Sequence, residues 1–183
     1  MNVELPDIYN AATTFVDENV EQGRGGKVAI YYQDQKITYQ EVFENVNRTG
    51  NALKDLGIEI ENRVLVILPD SPEFAYSFFG AIKIGAVAVP TNPWMFAKDY
   101  EYLINDSRAR AIIVHESTLP EIEKIWDHTP FLKHVLVVGT PKGKALSYES
   151  LIAKASDKLD AEKTSRDDVC FWGYTSGLSL IHI

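Results

Sequence analysis

The chain has 183 residues, 45% of them hydrophobic and 11% aromatic, which suits one domain of ordinary size with a sizeable core. With 26 acidic against 18 basic residues its net charge is −8, which argues against nucleic acid as a partner, because neutralising phosphates takes clustered Lys and Arg. A single cysteine, Cys170, excludes an internal disulfide framework and suits a reducing compartment.

The first residues, Met1-Asn2-Val3-Glu4-Leu5-Pro6-Asp7, have neither the basic nor the apolar part of a secretory signal. Nowhere do about eighteen apolar residues run together, so no membrane span or membrane partner is expected, and the reading is a soluble, cytoplasmic protein. Ile8, Ala11, Ala12, Phe15, Val16 and Val20 recur at helical spacing up to Gly23. Residues 28–32 and 36–38, separated by Gln33-Asp34-Gln35, read as a short hairpin. Thr38, three residues before Glu41, forms a capping box that opens a helix running to Leu56 and stopping at Gly57.

From there strands and helices alternate. Residues 63–68 read as an apolar strand, 71–84 as a helix ended by Gly85, and 86–89 as a strand ended by Pro90. A helix over 97–105 has Lys98, Asp99, Glu101 and Asp106 as its wet face. Residues 111–114 and 134–138 are apolar strands joined through a helical stretch around 120–126. A helix near 148–155, polar linkers at 139–147 and 156–167, and a strand over 169–174 complete the chain. Strands with almost no polar alternation, set between helices, imply an α/β fold with a mainly parallel sheet and flanking helices. Such sheets hold ligands beyond the carboxyl ends of their strands, where the residues after the last strand are expected to lie.

Those residues carry the chemistry. Phe171-Trp172-Gly173-Tyr174-Thr175-Ser176-Gly177 is an apolar run ending in hydroxyls and a glycine, the usual opening of a phosphate-binding loop. A complete loop needs further Gly and Ser or Thr, and normally a Lys, but Leu178-Ser179-Leu180-Ile181-His182-Ile183 follows instead. Those six residues can be encoded by CTG TCT CTT ATA CAC ATC, the end of a transposon-derived sequencing adapter. Residues 178–183 are therefore expected to be a tail of non-natural origin, after a natural part spanning 1–177.

What residues 1–177 are expected to be comes from a resemblance. Ile37-Thr38-Tyr39-Gln40-Glu41-Val42, the block from Phe79 to Pro90, and Tyr174-Thr175-Ser176-Gly177 resemble, in order, blocks of the adenylate-forming superfamily of acyl- and aryl-CoA ligases. Asn45-Val46-Asn47-Arg48-Thr49-Gly50-Asn51-Ala52-Leu53, Asp70-Ser71-Pro72-Glu73-Phe74 and Asp106-Ser107-Arg108-Ala109-Arg110 are similar to the benzoate-CoA ligase group. These last blocks read as structural, with Arg48 a solvated charge and Asp70 a helix cap.

The resemblance implies the N-terminal subdomain of that fold, incomplete, and a full-length enzyme that uses ATP, Mg²⁺ and coenzyme A on an aromatic or other carboxylic acid. Within this chain it implies that Thr175, Ser176 and Gly177 contact phosphate. It implies no catalytic residue, since the rest of the loop and the other site residues fall later in the family's chain. The truncated product is expected to be inactive, to bind no cofactor tightly, and to leave an apolar face or sheet edge uncovered. Its oligomeric state is left open. Competing readings are a small nucleotide- or CoA-binding module and a noncatalytic partner of a full-length ligase.

Other constellations point to structure. His115, His128 and His134 lack metal-ligand spacing. Cys170 reads as a filler of a buried strand, Trp94-Met95-Phe96 as packing beneath a loop, Lys142-Gly143-Lys144 as a solvated loop, and Asp167-Asp168 as a turn.

Overall fold

The computed structural model describes residues 4–175. A helical segment over 11–24 opens the fold and includes two π-helical stretches, Thr13–Asp17 and Val20–Arg24. The hairpin follows as β1 (Val28–Tyr32) and β2 (Gln35–Thr38), paired antiparallel. Helix α1 (Tyr39–Asp55) starts at the expected capping box: the Glu41 amide donates to Thr38 Oγ1 at 3.3 Å and the Thr38 amide to Glu41 Oε2 at 2.7 Å. It stops where Gly57 takes φ +76°, a conformation with no Cβ penalty for glycine.

The alternating part of the chain gives β3 (Arg63–Ile67), α2 (Pro72–Lys83), β4 (Val87–Pro90), α3 (Ala97–Ser107), β5 (Ala111–His115), α4 (Leu119–Glu123), β6 (His134–Val138), β7 (Leu146–Ser147) and α5 (Tyr148–Ile152). The sheet order is β4-β3-β5-β6-β7 and every pairing is parallel. Because side chains alternate along a strand, the apolar runs split cleanly between two cores. Leu65, Ile67, Val89, Ile112, Val114 and Val137 pack beneath α3 and α4, while Val64, Val66, Ala88, Ile113 and Leu136 pack with α1, α2 and α5.

Several expectations change. The strand expected over 169–174 reduces to one parallel bridge between Phe171 and Ala88, held by Ala88 N–H to Cys170 O at 3.2 Å and Trp172 N–H to Ala88 O at 2.9 Å. Phe171 is 54% exposed and Cys170 is only partly buried, because this stretch lies outside β4 and nothing among the described residues covers its far side. The 139–147 linker contains β7, too short to signal itself by periodicity. Asp70 caps nothing: Ser71 stands at the N-cap of α2, and Pro72, lacking an N–H, follows it. Arg48 pairs with Asp157 at 3.5 Å instead of standing alone in solvent.

Trp94 and Phe96 are 79% and 72% exposed, and of the three residues there only Met95 packs against the core. The turn at Asp167-Asp168 is as expected, with Asp168 Oδ2 accepting from the Ser165 amide at 2.8 Å. Among the described residues no helix is long and apolar enough to cross a membrane.

The 156–167 stretch is an ordered strap rather than a loose linker. It lies across α1 and the end of α2, where the Glu162 amide donates to Lys83 O at 2.8 Å. It then runs beside the N-terminus, where the Tyr9 amide donates to Thr164 O and the Arg166 amide to Asp7 O. Asn10 Nδ2 ties the two together by donating to Ile82 O at 3.0 Å and Glu162 O at 3.2 Å.

Candidate functional site

Of the three residues expected to meet phosphate, Thr175 is described and is exposed; Ser176 and Gly177 lie outside the described residues. The residue before it is anchored. Tyr174 stacks on Trp172, with ring centroids 5.9 Å apart and planes 14° from parallel, and its hydroxyl donates to Asp106 Oδ2 at 2.6 Å. Burial pushes the Tyr174 phenol well above the usual tyrosine range, and the adjacent Asp106 carboxylate pushes it the same way. Tyr174 therefore stays a neutral donor at any ordinary pH.

Asp106 lies in the last turn of α3, and α3 ends where β3 begins, since Arg63 Nε donates to Ser107 O at 2.5 Å. The Tyr174 hydroxyl thus reaches the last turn of α3, near the start of β3. After its one parallel bridge to β4 the chain is tied to α3 by the Tyr174–Asp106 hydrogen bond. Between them Trp172, Val87, Arg63, Asp106 and Arg108 line an open groove of about 640 Å³.

At the carboxyl edge the loop after β4 is built around Asn92. Its Oδ1 accepts from the Trp94 amide at 2.9 Å and its carbonyl accepts from the Tyr100 hydroxyl at 3.0 Å. After β5, His115 Nδ1 lies 2.8 Å from Ser117 Oγ, and Glu116 accepts from the Thr140 amide at 2.8 Å. That hydrogen bond holds the exposed Glu116 carboxyl below its ordinary range. Among the described residues no three His, Cys, Asp or Glu side chains gather closely enough to hold a metal ion.

The residues that fix the approach to Thr175 escaped the sequence reading. Asn47 and Asn51, four apart on one face of α1, hold the carbonyls at the start of the strap, and Asn10 holds its middle. Their signal was visible as two asparagines at helical spacing flanking Gly50, since Asn is a poor helix former that needs a reason to sit in mid-helix.

Comparison with known proteins agrees with this architecture along nearly the whole chain. The chain is 38% identical over 169 residues to the 4-hydroxybenzoate–CoA/benzoate–CoA ligase of Rhodopseudomonas palustris, an alignment covering 92% of this chain and 31% of that protein. It is also 38% identical over 176 residues to the benzoate–CoA ligase of Thauera aromatica, covering 96% of this chain and 33% of the other. Among solved structures, an anthranilate CoA ligase in complex with anthranoyl-AMP superposes with a TM-score of 0.91 at 38% identity, over 94% of this chain and 33% of that one. The chain thus spans about a third of the length of the relatives it matches. The family model described as AMP-binding enzyme matches residues 16–177, and the chain belongs to that family.

Proposed function

We propose that this chain is the N-terminal part of an ATP-dependent carboxylate–CoA ligase acting on benzoate or a related aryl acid. One observation carries the reading: the agreement with a 4-hydroxybenzoate–CoA/benzoate–CoA ligase extends over 92% of the chain. In this reaction a carboxylate oxygen attacks the α-phosphorus of ATP, an acyl-adenylate forms and pyrophosphate leaves. The sulfur of coenzyme A then attacks the acyl carbon and AMP leaves, giving the thioester. Catalysis of this kind is mostly positioning and charge neutralisation.

The part assigned to this chain is the opening of the phosphate loop. Thr175 and Ser176 supply hydroxyls and amides, and Gly177 admits phosphate close to the backbone. Mg²⁺ would neutralise phosphate charge in such a reaction, and the resemblance puts the acid that holds it later in the family's chain. With so few donors the 183-residue chain by itself performs neither half-reaction. Residues 1–177 belong to the ligase domain on this reading, and 178–183 are the adapter-derived tail.

Two measurements test it. A long read of the source DNA across codon 177 is expected to continue in frame through the remaining Gly, Thr and Lys of the loop; a genomic Leu-Ser-Leu-Ile-His-Ile ending would overturn the ligase reading for this product. The purified 183-residue chain is expected to give only background ATP–pyrophosphate exchange with benzoate. Exchange clearly above background would refute its inactivity.

A further inference from the structure

Of the consecutive α1 residues 47–51, four meet the stretch that leads towards Thr175 and one, Thr49, meets α5. Asn47 Nδ2 donates to Asp157 O at 2.8 Å, and Asn51 Nδ2 donates to Ser156 O at 2.7 Å and Lys158 O at 3.0 Å. Between them Arg48 pairs with the Asp157 carboxylate, Thr49 shares a 2.7 Å hydrogen bond with the Tyr148 hydroxyl, and Gly50 leaves the notch that Leu159 fills. The exposed Arg48 pair contributes little. The amides are different, because one side chain that captures two carbonyls fixes the direction of the strap as well as its position.

From there the chain is tied down repeatedly on the way to the loop. Glu162 N–H is held by Lys83 O at 2.8 Å, Arg166 N–H by Asp7 O at 3.0 Å and Trp172 N–H by Ala88 O at 2.9 Å. We infer that Asn47 and Asn51 are positioning residues for the phosphate-binding segment: they anchor residues 156–158, and the strap carries that anchorage to Tyr174 and Thr175. The consequence for phosphate rests on the ligase reading, whereas the anchorage stands on geometry alone.

Site-resolved hydrogen exchange on the 183-residue chain tests it. Asn51→Ala is expected to speed exchange at the Glu162 and Trp172 amides about tenfold, the effect of one or two lost hydrogen bonds, and to leave the amides of β3 and β5 unchanged. Asn51→Gln, which keeps the donor, is expected to restore part of the protection. If the alanine variant does not fold, Asn51→Ser gives the same comparison with a milder truncation. Equal acceleration throughout the sheet would make Asn51 a general stabiliser and overturn the inference, as would unchanged exchange at Glu162 and Trp172. This readout involves no nucleotide, so selective acceleration alongside failure of the DNA and ATP tests would sink the ligase reading and leave the anchorage standing.

Discussion

The two faces of the sheet are held by different physics. Beneath α3 and α4 the contacts are almost wholly apolar, with Ile67, Ile104, Ile112, Val114 and Val137 excluded from solvent. On the other face α1 and α2 approach so closely at Gly50 and Gly80 that a Cβ on Gly80 would lie 3.0 Å from Thr49 Cβ and 3.1 Å from the Gly50 nitrogen. Around that crossing sit buried polar groups: the Thr49–Tyr148 hydrogen bond, the Asn47 amide, and Lys83, wholly buried and 2.6 Å from Asp17. An apolar face tolerates rearrangement of roughly equal volume, whereas a close, polar seam has one solution. The seam is also the face that holds the strap, so the more demanding packing lies on the route to Thr175.

The contrast can be broken first by volume. Ile112→Ala, on the apolar face, should cost about 2–5 kcal/mol through lost burial and a residual cavity. Gly80→Val, on the seam, should cost about 1–3 kcal/mol by overpacking. Urea denaturation with exchange mapping separates them: Ile112→Ala is expected to lower protection globally, Gly80→Val to loosen the strap as well. Identical exchange patterns would mean that the two faces form one mechanical unit.

Removing a buried charge comes next. Lys83→Met strips Asp17 of its partner and should cost about 3 kcal/mol, towards the low end for breaking a buried pair because Asp17 can take up a proton instead. The pH dependence carries a definite sign. Burial is the largest influence on the Asp17 carboxyl and raises it above its ordinary 3.8, against the opposing pull of Lys83. The folded state therefore holds this proton more tightly than the unfolded state. The group's contribution to stability falls as pH rises from 3.8 through the raised value, and it recovers on acidification. Glu41 has the opposite sign, since its hydrogen bonds to the Thr38 amide and hydroxyl lower its carboxyl below 4.5. Its stabilisation is present above 4.5 and is lost as pH falls through the lowered value. In denaturation series from pH 7 to 3, Asp17→Asn and Glu41→Gln should change the acid limb in opposite directions; changes of the same sign would refute the assignment of causes.

The smallest effect expected is from Tyr148→Phe, which leaves the Thr49 hydroxyl buried without its 2.7 Å partner and should cost about 1–2 kcal/mol. Burial already holds the Tyr148 phenol far above its ordinary range, so the hydroxyl acts only as a neutral hydrogen-bonding group. A neutral outcome in chemical denaturation would show that Thr49 finds another partner and that the seam is less specific than its geometry suggests.

Much of this molecule was legible in one dimension. The capping box at Thr38 and Glu41, the glycine stops at Gly57 and Gly85, and the unalternating runs of β3, β5 and β6 follow from local sterics and burial on both sheet faces. So did the family, because its blocks recur in order along residues 16–177. What local pattern could not supply was any contact between residues far apart in sequence. Asn51 and Lys158 are 107 positions apart, and Tyr174 and Asp106 are 68. The strap looked like a linker because its order comes from hydrogen bonds with α1, α2 and the N-terminal segment, and a polar segment with no periodicity of its own carries no sign of an external partner. The 169–174 run looked like a buried strand because its residues are apolar, yet burial depends on what covers a strand. Composition and spacing decided most of the elements and the parallel sheet; the tertiary structure alone decided the path of the strap, since that path is set by partners far away in sequence.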